Sequence, residues 1–299
     1  MELAIPSKPA GPSQQKLILR YLRRNKSLVV GLVILLFLLV FSIGGSLIID
    51  TQKLAYPLAV TPLQPPSAEF PLGTDRDGRN LLAVMIRGIL LTGMIGLIAG
   101  TIGIVIGVVL GFMSGYFGGV FDLVVRWITE VLLTIPSLIL LIIIAGTVVD
   151  KNSVTVLTMA GVTALLAWVG PTRVVRAQVL TMKERTFVSV AKLSGMGNME
   201  IIFKELMPNM LPFLVASFVA QVMNAIYASF GLEILGLGPA REPTIGMTIR
   251  WAVFHSAMFN QWWWWVLWPI VAMVLIFTSL SLINVGLDEI ANPRVRRTE

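Results

Sequence analysis

Apolar residues run in six stretches without a charged side chain, at 27–49, 88–121, 131–149, 152–172, 206–232 and 251–287. A helix needs about 20 such residues to cross roughly 30 Å of hydrocarbon. Each stretch holds one crossing, and the second, fifth and sixth leave room for interfacial turns. The pattern predicts an all-α, polytopic membrane protein with six transmembrane helices. The first stretch is too long for a signal-peptide core and reads as an uncleaved span. The expected organisation is a tail and interfacial helix over 1–26, a first span over 27–49 and an external loop over 50–80. A five-span core over 81–293 and a short tail over 294–299 complete it.

Polar positions between and within the spans add detail. In 14–26, Leu17, Ile18, Tyr21 and Leu22 alternate with Lys16, Arg20, Arg23 and Arg24, which suits a short basic helix at a membrane surface. Five prolines at 57, 62, 65, 66 and 71 keep the first loop out of regular helix. Its turn residues run to Asn80, and Asp or Asn there can cap the next helix. Gly93, Gly96, Gly100, Gly103, Gly107, Gly111 and Gly115 form a stripe along the second span, where another helix can approach closely. The approaching helix belongs either to this chain or to a second membrane subunit. Asp122, Arg126 and Glu130 follow at four-residue steps and can pair along one helix face. Pro136 is expected to kink the third span.

The fifth span carries Gln221, Asn224 and Tyr227. Side-chain amides in lipid must be satisfied, so these face either neighbouring helices or a translocation path. Trp262, Trp263, Trp264 and Trp265 lie near the start of the sixth span. They suit the aromatic belt of a membrane boundary, with a stacking surface for a substrate such as a sugar ring as the alternative. His255 reads as a hydrogen-bonded loop residue.

Charge then orients the chain. With six spans, one side carries sixteen of the 23 Lys and Arg, while the other carries seven basic and seven acidic residues. The whole net charge of +7 lies on the first side, which the positive-inside rule makes cytoplasmic, with both termini. Topology thus accounts for the basic balance without nucleic acid. The chain has no cysteine and one histidine, which excludes thiolate chemistry and any site needing two histidines.

The segment 173–212 is the one polar interruption large enough to meet a soluble partner. It holds two short helical patterns, at 187–194 and 199–207, around Gly195 and Gly197, and Pro208 and Pro212 are expected to close the second. No phosphate-binding Gly-x-x-x-x-Gly-Lys-Ser/Thr loop occurs, so ATP hydrolysis is not expected in this chain.

Phe187-Val-Ser-Val-Ala-Lys-Leu-Ser-Gly195, followed by Met207-Pro208-Asn-Met-Leu-Pro212, resembles the EAA loop of binding-protein-dependent ABC importer permeases. Ala191, Gly195 and Pro208 stand in register, while Ser189 occupies the Glu position, Val190 the first Ala, Glu205 the Ile and Met207 the Leu. Pro71-Leu-Gly-Thr-Asp75 with Gly78-Arg79 is similar to the signature of the dipeptide/oligopeptide/nickel group. So are Gly115-Tyr-Phe-Gly-Gly119, Pro136-Ser137, Arg173-x-x-Arg176 and Leu235-Gly-Leu-Gly238. A single span before the first of these resembles the "C" permease of a B/C pair. The resemblance implies a type I importer permease fold in a prokaryotic cell membrane. It implies a homologous permease, two ATPase subunits carrying ATP and Mg, and an external binding protein as partners. The ATPase-docking residues it implies are Phe187, Ser189, Ala191, Lys192, Gly195, Glu205 and Pro208. The substrate class it favours is peptides, with oligosaccharides or nickel as alternatives.

Overall fold

The computed structural model describes residues 25–148 and 154–291, all helix and loop with no strand among them. The basic helix expected over 14–26 lies almost wholly outside the described residues. The helices are α1 Lys26–Ile48, α2 Thr51–Leu54, α3 Leu81–Phe117, α4 Gly119–Thr134, α5 Ser137–Val148 and α6 Val156–Ala167. There follow α7 Val169–Met182, α8 Thr186–Leu193, α9 Asn198–Ile201, a π turn Ile202–Leu206, α10 Met207–Ile234, α11 Ile245–Phe254 and α12 Trp263–Ala291.

The central helix is α3, 37 residues long. Asn80 caps it, its side chain accepting the Leu82 amide at 3.0 Å. The glycine stripe is occupied by this chain's own helices. Gly96 and Gly100 meet Val222 and Ile226 of α10, while Gly103, Gly107, Gly111 and Gly115 meet Ala167, Pro171, Val175 and Val179 of α6 and α7. A Cβ on Gly107 would lie 2.5 Å from the Pro171 Cβ, so a larger residue would force the helices apart. Close van der Waals approach replaces the hydrophobic drive that lipid does not supply. Only Gly93 of the stripe has nothing within 4 Å of such an atom.

The third span is a broken one. α4 and α5 meet at 90° across Ile135 and Pro136. Proline removes an amide donor and disfavours helix in the residue before it, and Ile135 is extended at φ −90°, ψ 130°. At 12 residues, α5 is about 18 Å long, too short to cross alone. Geometry nevertheless requires the pair to count as a crossing. Asn25, before α1, donates to the Gly286 carbonyl at 3.0 Å and to Glu289 at 2.8 Å, so both described ends share one end of the bundle. An even number of crossings is needed, and five long apolar helices plus the bent pair give six.

Asp122 does not pair with Arg126 as expected. It forms a two-point ion pair with Arg176 of α7, at 2.5 and 2.6 Å. Arg126 does pair with Glu130 along the helix, as expected, at 3.8 Å on the surface. The guanidinium fork of Arg176 matches both carboxylate oxygens. The helix of the fourth span continues through Met182, so Arg173 and Arg176 are helical rather than part of a loop.

The opposite end of the bundle is a folded cap. The Pro-rich loop 55–80 wraps on itself, and Asp75 is buried with its carboxylate accepting the Arg79 amide at 2.8 Å. Loss of solvent pushes the Asp75 carboxyl up to about 6, only partly opposed by Arg79. Of the four tryptophans read as a membrane belt, or alternatively as a stacking surface, two are core. Trp265 is fully buried, and Trp264 is buried and donates its indole N–H to the Thr74 carbonyl at 3.1 Å. The backbone at Gly73, φ +82°, packs directly on the Trp264 ring, where any Cβ would collide. Trp262 is half-buried and Trp263 exposed. Arg76 donates to the Nδ1 of His255 at 2.9 Å in the same cap. The loop after α10 contains α11. Its N-terminus is held by Glu233, fully buried, whose carboxylate accepts from Ser229 at 2.9 Å and Thr244 at 2.8 Å.

Candidate coupling elbow and cleft

Helix α8 runs across the end of the bundle shared with Asn25. Val188 and Ala191, three residues apart, face inward, while Val190 and Leu193 face solvent. The helix ends in a Schellman motif. Met196 N–H donates to the Ala191 carbonyl at 3.2 Å and Gly195 N–H to Lys192 at 3.0 Å. This closure needs a left-handed residue, and Gly195 supplies it at φ +79°. Gly197 then starts α9, whose first turn leads into the π turn.

The second helical pattern does not close at Pro208, as expected from sequence. Met207 N–H donates to Ile202, five residues back, and the helix runs on as α10 with both prolines inside its first turns. Pro208 has no N–H to give, and the wider π turn places the register change just before it. The elbow is thus continuous with a spanning helix.

The elbow has an anchored side and a presented side. Val188, Ala191, Ile201, Ile202 and Leu206 are buried with Phe112, Val175, Val179 and Met210 of three long helices. Phe187 packs half-buried against the same cluster. The Asp122–Arg176 pair, joined by Ser114 and extended by Lys183 donating to the Gly115 carbonyl at 3.1 Å, ties the base of the elbow to α3 and α4. The presented side carries four apolar side chains: Val190, Met199, Phe203 at 61% exposed and Leu193 at 88%.

The sequence-predicted docking residues therefore divide. Ser189, Lys192, Gly195 and Pro208 are exposed, Glu205 is half-buried, and Phe187 and Ala191 face the core. Ser189 and Lys192 flank the apolar face, with Lys192 over the Tyr116 ring at 5.8 Å. The exposed apolar residues were missed by motif reading. Their signal was present in the spacing of Val190 and Leu193, out of phase with Val188 and Ala191, and of Met199 and Phe203 four residues apart.

A cleft of about 420 Å³ lies higher in the bundle, at the inside of the α4–α5 bend. Gln221, Asn224 and Tyr227 all line it, with Leu133, Ser137 and Leu166 opposite among its walls. The three polar positions sit at three-residue steps on α10, so they share one face. Tyr227 is stacked on Phe277 at 3.8 Å.

Residues 103–297 match the family described as binding-protein-dependent transport system inner membrane component, and 13–66 match the N-terminal TM domain of oligopeptide transport permease C. The oligopeptide transport system permease protein OppC of Mycobacterium tuberculosis is 30% identical over 95% of this chain and 96% of its own length. The dipeptide transport system permease protein DppC of Bacillus subtilis is 31% identical over 93% and 85%. A putative peptide transport system permease protein of Brucella abortus is 26% identical over 99% and 98%. With the six-crossing helical bundle and the elbow beneath it, these matches show that the chain belongs to the binding-protein-dependent transport system inner membrane components, the permease subunits of ABC importers.

Proposed function

We propose that this chain is one half of the membrane channel of an ATP-driven peptide importer. It works with a homologous permease, ATPase subunits on the cytoplasmic side and an external binding protein. The observation that carries this reading is the two-sided elbow: one face is built into the helix core and the other presents Val190, Leu193, Met199 and Phe203. An amphipathic helix with such a face suits a groove on a partner. Force on that face passes to Val175, Val179 and Phe112, hence to α3, α7 and α10, which line or support the cleft. The charge asymmetry in the sequence supports placing the elbow and both termini in the cytoplasm.

Peptides are the cargo favoured by the names of the relatives. The sugar-stacking alternative loses its main support, because Trp264 and Trp265 are buried in the cap. Deleting the chain from its host should abolish ATP-dependent uptake of labelled di- and oligopeptides, with restoration on re-expression. Unchanged peptide uptake in the deletion strain would refute the reading.

A further inference from the structure

The cleft contains a chemical oddity. Gln221 is only 7% exposed and Asn224, one turn on, is exposed at the open side of the cleft, yet neither side-chain amide makes a hydrogen bond among the described residues. The Tyr227 hydroxyl makes none either, but this residue is 50% exposed, with its ring stacked on Phe277. An unpartnered amide inside a membrane bundle is costly unless water or a ligand completes it. These groups are aimed into a cleft rather than sealed in the core, since all three line it. None of the cleft's lining residues is charged.

We propose that Gln221 and Asn224 form a recognition site for the peptide main chain. The inference rests on the reading of the chain as a peptide permease. A carboxamide carries one acceptor and two donors, the same groups as a peptide bond, so it can pair with a backbone N–H or C=O of any residue. The stripe from 221 to 227 is about 9 Å long. That matches two to three residues of extended peptide at about 3.3 Å each. A neutral wall neither attracts nor repels a charged cargo side chain, so this half of the path reads peptide groups and ignores side-chain charge. A carboxylate in the same wall would end that indifference.

The test uses the complete transporter in proteoliposomes with ATP and three dipeptides, Ala-Ala, Lys-Ala and Asp-Ala. Each variant is expressed as a ratio to wild type, so selection by the binding protein cancels. Gln221→Leu combined with Asn224→Leu should lower uptake of all three alike, by about tenfold for two lost charge-free hydrogen bonds. Gln221→Glu should raise the Lys-Ala to Asp-Ala ratio by about tenfold or more, as expected for one charge near the cargo in a partly desolvated cleft. Gln221→Asn should keep part of the activity with no charge preference. The chain has no cysteine, so Asn224→Cys gives a single thiol. A water-soluble thiol reagent should label it, and transported peptide should slow the labelling. Wild-type uptake in the double leucine variant, an unchanged charge ratio in Gln221→Glu, or no labelling of Asn224→Cys would overturn the proposal. Failure of the wild-type transporter to move these dipeptides and longer peptides alike would instead refute the peptide reading beneath it.

Discussion

Replacing Gly195 separates backbone geometry from contact at the elbow. Its φ of +79° closes the Schellman motif, and a Cβ there would meet nothing within 4 Å. Gly195→Ala therefore adds only the cost of a left-handed residue, about 1–2 kcal/mol. Gly195→Pro is more severe. It forces φ to about −65°, on the opposite side of the map, and removes the N–H that bonds Lys192 at 3.0 Å. The combined cost is about 3 kcal/mol or more, enough to shift the local equilibrium by more than a hundredfold. Because Met196 and Ile201 pack into the same cluster as Val188, the loss displaces the presented face relative to the core. The assay is ATP-dependent peptide uptake, normalised to the amount of variant in the membrane. Alanine should retain most uptake, and proline should abolish it while the chain still inserts and pairs with its partner permease. Normal uptake with proline, or equal losses with both, would refute the reasoning.

Other substitutions probe the bundle and the cap. Gly107→Leu should prevent accumulation of folded protein, because Pro171 and the Thr172 amide occupy the space, whereas Gly93→Ala should be silent in yield and uptake. Arg176→Ala leaves the Asp122 carboxylate with Ser114 as its one hydrogen-bond partner and the more distant Arg126 charge, and should lower stability by about 1–3 kcal/mol, read as a drop in the midpoint of thermal unfolding in detergent. Asp75 gives a pH signature. Its carboxyl is raised from 3.8 to about 6 in the folded cap, so the folded state holds the extra proton between those values. Stability of the cap should therefore be highest below pH 4, fall as pH rises through 6, and level off above it. Asp75→Asn should flatten this dependence, measured by amide exchange in 55–80 across pH 4 to 7.

Lipid made much of the fold legible. A crossing has a fixed length, so charge-free windows announced the spans, and Leu81 begins α3 one residue after the capping Asn80. The glycine stripe announced close approach but not its partner, because the pattern describes one helix face only. The same limit hid the Asp122–Arg176 pair. Periodicity relates residues on one helix, and these lie 54 apart. Proline was ambiguous in both directions. At 136 it allowed a right-angle break, while at 208 a π turn carried the helix past it. The tryptophan cluster fitted a membrane belt by pattern, but belt and core differ only by what packs on the ring, here Gly73 and Thr74. At the elbow, the motif located the bend and the residues in register, while the presented apolar face emerged from burial alone. In the cleft, Gln221, Asn224 and Tyr227 were found because polar residues stand out against lipid. Their lack of partners required the surrounding helices.

The central claim is that the exposed face of α8 and α9 meets an ATPase. The most direct measurement places a single cysteine at Leu193, 88% exposed, in this cysteine-free chain. The complete transporter is then treated in membranes with a short thiol-to-amine cross-linker. A covalent adduct between this chain and the ATPase subunit is predicted, absent when the cysteine is placed instead at exposed Phe259 in the opposite cap. Cross-linking from Phe259 but not Leu193, or from neither, would contradict the account.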